Sequence, residues 1–308
     1  MTAAATRIDP PLIPGSPEWR REMTASKVAA ALGLSPWESR FSLWHKLAGQ
    51  LDFDDLQTSA QSRGHFLEPA VAAWLADQTG LHLRPGGCWR NAEHPWMVAS
   101  PDRLAYASRY ARKPLALVEI KTSGEMDEWG PDGSDEIPPG YRAQVVFQLD
   151  TLGLKTAHVA VLLPRLQFRG YVIRHDEGEA AFIRGEVTAF LDSLPGGPAE
   201  QVPSIDDHDQ TFRAIRELHP DIEDREAEVP LSLATAYCDA VTGLRAAEDE
   251  HQLRRSELAQ HMGAAKKAVV RTGPDVVHTI AARQAKAGGT PFVKAATKLP
   301  DLTLELSA

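Results

Sequence analysis

Along the first hundred residues apolar positions recur at helical spacing, and each run stops at a glycine. Residues 25–32 end at Gly33, 41–48 at Gly49 and 66–79 at Gly80, where a left-handed residue would close a helix. Pro69 follows Glu68 directly, and because proline is at home in a first turn, the third helix is expected to begin near Glu68. The period then shortens. Residues 81–84, 96–99, 115–121, 157–163 and 168–174 are short, rich in β-branched or apolar side chains and bounded by Gly, Pro or polar breaks, as strands are. Two more helices belong to this stretch: 141–152, stopped by Gly153, and 177–194, with Asp176 as N-cap and Glu179 three residues on.

Beyond residue 194 the pattern loosens. Residues 194–230 carry six prolines and glycines up to Pro220 and many acids, a connecting region with one short helix at 211–218. Residues 231–270 lack proline, and Leu233, Tyr237, Val241 and Leu244 are spaced by four and three, which predicts one long amphipathic helix. Residues 276–281 and 302–306 read as closing strands. The expected organisation is an α/β (α+β) core over 1–200, a connection over 201–230 and a helical/β appendage over 231–308.

Composition fits an ordinary globular chain: 308 residues, 43% hydrophobic and 24% charged. No apolar stretch approaches the roughly 18 residues of a membrane span, and the first fifteen residues do not read as a signal peptide, so a cytosolic location is expected. Cys88 and Cys238 are the only cysteines, which argues against disulfides, a cysteine zinc site or an iron-sulfur cluster; both are expected as buried thiols. A net charge of -9 argues against a nucleic-acid partner, but it averages two opposed regions. Residues 123–139 hold Glu125, Asp127, Glu128, Asp132, Asp135 and Glu136 with no Lys or Arg, a solvated loop by composition. From Lys266 to Lys298, seven basic residues face only Asp275, a surplus of 7 - 1 = +6 that can meet phosphates.

One constellation carries chemistry. Asp102 follows a predicted strand, and Glu119 and Lys121 lie on the next, on one sheet face because side chains alternate, with Ile120 turned to the core. Two carboxylates converging from neighbouring strands make a hard oxygen site suited to Mg²⁺ or Mn²⁺. A lysine beside them can orient or help deprotonate a water and stabilise charge on a phosphorane. On the following helix Tyr141, Gln144 and Gln148 form a polar face opposite Val145, Leu149 and Leu152, able to hold a phosphate or a base edge.

Here the chain resembles the YqaJ / lambda-exonuclease type of viral recombinase, a branch of the PD-(D/E)XK nuclease superfamily, from about residue 15 to 194. The matching stretches are Gly15-Ser-Pro-Glu-Trp19, Met23-Thr-Ala-Ser26 with Gly33-Leu-Ser-Pro36, Gly64-His-Phe-Leu-Glu68 with Thr79-Gly80, Ser100-Pro-Asp102, Glu119-Ile-Lys121, Pro139-Gly-Tyr141-Arg-Ala-Gln144, and Gln148 with Gly153. Their order and gaps make the resemblance specific. It implies a restriction-endonuclease-like core, a mixed central sheet flanked by helices. It implies that Asp102 and Glu119 bind metal with the Ile120 carbonyl, that Glu68 helps hold the metals or their waters, and that Lys121 positions the attacking water, with Gln144 in the same catalytic group. Tyr141 and Gln148 are assigned to DNA. An Arg before the Thr-Ala-Ser stretch would grip a 5'-phosphate with Ser26; the gap is shortened here, leaving Arg20 or Arg21. Lys266 and Lys267 are assigned to the DNA backbone on charge alone.

The implied activity is a Mg²⁺-dependent exonuclease using two ions, with Mn²⁺ as substitute. It would act from the 5' ends of duplex DNA and leave a 3' single strand for an annealing protein. A homo-oligomeric ring, trimer or tetramer, in the cytosol of a phage host completes the expectation. An endonuclease of the same superfamily and an inert DNA-end-binding protein are the rivals.

Overall fold

The computed structural model describes residues 5–53, 59–272, 276–286, 289–297, 299–300 and 302, with nothing described of the side chains of residues 59–61. It divides into two compact units, Met1–Ile222 and Glu223–Ala308.

The first unit runs β1 (Thr6–Ile8), α1 (Pro17–Arg21), β2 (Met23–Thr24), α2 (Ala25–Ala31), α3 (Arg40–Leu47), α4 (Ser59–Thr79), β3 (His82–Pro85), β4 (Cys88–Arg90), β5 (Met97–Ala99) and β6 (Arg103–Tyr106). It continues with β7 (Ala116–Thr122), α5 (Pro139–Leu152), β8 (Thr156–Leu163), β9 (Gln167–Arg174), α6 (Glu177–Asp192) and α7 (Asp209–Leu218). The predicted glycine stops hold, with φ of 72°, 71°, 67° and 69° at Gly33, Gly49, Gly80 and Gly153. Asp176 caps α6, accepting the Glu179 N–H at 2.8 Å.

The main sheet has the order β3-β6-β7-β8-β9, with β7 and β8 parallel and the other neighbours antiparallel. The parallel pair needs a crossover, and α5 supplies it. Alternation along β7 divides its side chains between two helices. Ala116, Val118 and Ile120 pack with Val71 and Leu75 of α4, while Leu117 joins Val145 and Leu149 of α5. Each such buried side chain contributes roughly 1.5–3 kcal/mol. Helices therefore cover both faces of a mixed sheet, the architecture that the resemblance implies. A smaller sheet, β1-β4-β5-β2, lies beside it in the order of pairing.

Several expectations are corrected. Helix α4 begins at Ser59, nine residues before Glu68, and carries Pro69 within it. Packing overrides the local penalty: Gly64 approaches β7 so closely that an added Cβ would lie 3.3 Å from the Thr122 hydroxyl. The acidic stretch 123–139 is not simply solvated, because Trp129 and Ile137 are buried in the main core. Its backbone is also bonded to β9, through Gly133 N–H to the Gly170 carbonyl and Val172 N–H to the Ser134 carbonyl.

In the second unit, α8 (Leu231–Met262) is followed by the antiparallel sheet β10 (Lys267–Arg271), β11 (Val277–Gln284) and β12 (Phe292–Ala295). The helix stops at Met262 rather than running to residue 270; Gly263 has φ 51°, and the β-branched pair Val269-Val270 goes into the sheet. Met262 packs against Ala268, Ala281 and Val293, whereas Leu233, Tyr237 and Leu244 are exposed. Cys238 is exposed too, so only Cys88 is the buried thiol expected. The strand expected at 302–306 and Lys298 lie outside the described residues, apart from residue 302.

Candidate active site

Antiparallel pairing of β6 with β7 sets Arg103 opposite Val118, which places Asp102 beside the Glu119-Ile120-Lys121 segment. The Asp102 carboxylate accepts the Ile120 N–H at 2.6 Å. Ile120 thus meets Asp102 through its amide. Its neighbours Glu119 and Lys121 point to the opposite face, towards α5.

There Glu119 is only 3% exposed, and its charge is answered on both oxygens. Oε1 accepts Lys121 Nζ at 2.6 Å and Gln144 Nε2 at 2.7 Å, and Oε2 accepts Gln148 Nε2 at 2.9 Å. Lys121 Nζ also donates to Gln144 Oε1 at 3.2 Å and lies 4.9 Å from the centre of the Tyr141 ring. The polar face of α5 is therefore turned onto β7. Gln148, assigned above to DNA, is corrected: at 1% exposed it touches Glu119 and cannot reach a ligand. Its own Oε1 is buried and has no hydrogen-bond partner among the described residues.

Burial first, then the Glu119 carboxylate, push the Asp102 carboxyl up to about 8. Lys121 goes the other way. Burial works to lower its ammonium, but Glu119 and then Asp102 outweigh this and hold it above the usual lysine range. Lys121 is thus a fixed cation and a hydrogen-bond donor, not a proton acceptor.

Glu68 is near enough to raise Asp102 through its charge, but Arg103 Nη1 holds its Oε1 at 2.6 Å. Among the described residues no group of three or more His, Cys, Asp or Glu is spaced to hold an ion. The side-chain oxygens that remain are those of Asp102 and Glu119. This donor set suits Mg²⁺, which is commonly held by one or two carboxylates and keeps several waters.

The residues expected at a substrate phosphate lie on α1 and α2. Arg20 is engaged, its Nε donating to the Gly15 carbonyl at 2.8 Å, while Arg21 is exposed. Ser26 is not the N-cap of α2, which is Thr24; its hydroxyl is exposed and lies 3.0 Å from that of Thr24. Between them Lys27 is buried, donating to the carbonyls of Trp19 at 2.7 Å and Glu22 at 2.7 Å, which ties α1 to α2. Lys266 and Lys267 belong to the second unit, and both are exposed.

Two residues that place the site escaped the sequence reading. Arg103 spans Glu68 and the Asp102 carbonyl, the latter at 2.7 Å. Gly86 donates its N–H to the same carbonyl at 3.2 Å, and a Cβ there would fall 1.8 Å from the Pro101 oxygen. The only signal was the Gly86-Gly87 pair itself. Gly86→Ala is expected to push Pro101 and Asp102 out of place and to lower any rate that depends on Asp102 by about 10²-fold, since displacements near 1 Å have that effect. Comparing the rates of variant and parent checks this, and a rate within twofold of the parent would show that Gly86 does not position Asp102.

Part of the chain is similar to known proteins. Residues 18–155 match the model of the YqaJ-like viral recombinase domain. A Bacillus subtilis (strain 168) protein described as "Uncharacterized protein YqaJ" is 27% identical over 216 residues, covering 68% of this chain and 64% of that protein. The chain therefore spans less than two thirds of that relative's length. Among solved structures, an alkaline exonuclease from Laribacter hongkongensis aligns with a TM-score of 0.45 and 23% identity, over 57% of this chain and 89% of that one. A phage related exonuclease from Haemophilus somnus 129PT aligns with a TM-score of 0.42 and 15% identity, over 55% of this chain and 91% of that one.

Proposed function

We propose that this chain, which carries a YqaJ-like viral recombinase domain over residues 18–155, is a metal-dependent exonuclease on linear duplex DNA. The observation that supports this most is the pairing of a buried Glu119, bound by Lys121, Gln144 and Gln148, with an Asp102 whose ionisation burial opposes. Such an arrangement is unfavourable in a purely structural core and becomes useful when a cation neutralises both carboxylates.

A divalent ion between Asp102 and Glu119, Mg²⁺ or in its place Mn²⁺, would polarise the scissile phosphate and acidify a bound water. The protein supplies the rest. Lys121, held protonated, orients the attacking water and offsets charge developing on the phosphorus oxygens. Gln144 keeps Lys121 and Glu119 in one geometry by bonding both. Tyr141 flanks Lys121, its ring centre 4.9 Å from Nζ. Glu68, paired with Arg103, would add a further negative charge beside the ion.

The finer reading is attack from the 5' end, leaving a 3' strand for a single-strand annealing protein, with copies of the chain assembled in a trimeric or tetrameric ring. Linear duplex labelled at one end and incubated with Mg²⁺ should release the 5' label as mononucleotide and retain the 3' label on a shortening strand. Linearisation of closed circular DNA would favour the endonuclease, and no digestion with either Mg²⁺ or Mn²⁺ would remove DNA hydrolysis altogether. The exposed pair Arg21 and Ser26 is assigned to the terminal phosphate. A 5'-phosphorylated end should be degraded about tenfold faster than a 5'-hydroxyl end, and Arg21→Ala should abolish the difference, measured by initial rates on the two substrates. Equal rates for the two ends in the parent protein would remove this pocket.

A further inference from the structure

The match to the recombinase domain stops at residue 155, and the second unit begins at Glu223. This unit has its own chemistry. Its described residues from 263 onward include Lys266, Lys267, Arg271, Arg283, Lys286 and Lys294, and no Asp or Glu.

Pairing organises these charges. Lys267 lies opposite Ala282, and Ala282 lies opposite Lys294, so one row crosses all three strands with a lysine at each end, about 10 Å apart. Their chain neighbours Ala268, Ala281 and Val293 are buried against Met262 of α8. Because side chains alternate, the lysine row must face away from α8, and both lysines are exposed. Next to this sheet, α8 and β12 enclose a cleft of about 400 Å³ lined by Gln252, Arg255, Ser256, Arg283 and Phe292. Among the described residues no carboxylate lines it. Arg283 is fixed there by a hydrogen bond to the Gly263 carbonyl, and Phe292 is 44% exposed.

We infer that the second unit is a binding site for single-stranded nucleic acid, here the strand left by digestion. Phosphates run along the Lys267–Lys294 row, and an unstacked base lies on Phe292, which is two residues before Lys294 and so shares its face. Cations spaced along a surface with an accessible aromatic ring are what a single strand needs, since its bases have free faces to stack. The proposal deepens the nuclease reading, but it is tested without catalysis.

The full chain carrying Asp102→Asn is titrated into fluorescein-labelled oligothymidine, and separately into a blunt duplex of equal length, in chelator and at several salt concentrations. Lys267→Glu with Lys294→Glu is expected to weaken oligothymidine binding by at least about tenfold and to flatten its logarithmic salt slope by about 1.4, near 0.7 for each phosphate that is no longer neutralised. Phe292→Ala is expected to weaken it about fivefold or more at unchanged slope. Duplex affinity should move less than twofold in both. Circular dichroism and melting establish folding, and the milder Lys267→Gln with Lys294→Gln pair is read if the reversals unfold the unit. Unchanged oligothymidine binding overturns the proposal, and so does equal weakening on both substrates. A change in oligomeric mass with oligothymidine binding intact also overturns it, because the basic face would then serve another copy of the chain.

Discussion

Asp102→Asn is expected to lower cleavage by at least about 10³-fold and, in chelator, to melt above the parent protein. The first effect follows from losing one of two carboxylates that can hold the cation, a matter of several kcal/mol in the transition state. The second follows from the cost of the native carboxyl. Asp102 titrates at about 8 in the folded chain against an ordinary 3.8. Between those values the folded state holds more protons than the unfolded one, so the parent loses stability as pH rises. Asparagine keeps the acceptor for the Ile120 amide and does not titrate. The advantage of the variant should be near zero below pH 4 and reach its full size, on the order of 5 kcal/mol, above pH 8. Denaturant melts at pH 5 and pH 8.5 measure it. An advantage that shrinks with pH would contradict the assignment, as would cleavage at the parental rate.

Lys121→Met should act oppositely on stability while also abolishing cleavage. It leaves Glu119 and Asp102 without the cation between them, and removing one partner of a buried pair typically costs about 3–5 kcal/mol. The two amides on Glu119 remain, so the loss should fall towards the lower figure. Mg²⁺ should then raise the melting temperature of this variant more than that of the parent, because an ion bound by the folded state restores the missing positive charge. A loss under about 1 kcal/mol at pH 8, or no greater response to Mg²⁺, would mean that Lys121 is not the counter-charge of the site.

The path from sequence to site was short where information is local. The alternation in 115–121, the run 157–163 and the glycine after Leu152 were enough to place β7, α5 and β8, and with them Glu119, Lys121 and Gln144 on facing surfaces. What escaped was set by distant partners. β1, β2 and β4 have two or three residues each, with no period to detect, and exist because they pair. Gln148 looked like a free polar residue because burial is decided by the strand that α5 covers, not by α5 itself. Pro69 misplaced the start of α4 because a local cost was weighed without the packing that outweighs it. Gly263 marked the end of α8, but the proline-free, charged stretch around it concealed the change to a β-branched strand.

The hydrogen bonds that tie residues 133–134 to β9 have a consequence for how copies of the chain can associate. β9 ends the main sheet and would otherwise offer a row of unpaired amides and carbonyls to any extended strand. Gly133 and Ser134 occupy part of that row from within the same chain, and Asp132 adds its carboxylate to the Gly170 amide at 2.7 Å. The margin is thus guarded by backbone and negative charge together. Growth by strand addition, the route to fibrous aggregates, is opposed along that part of the edge.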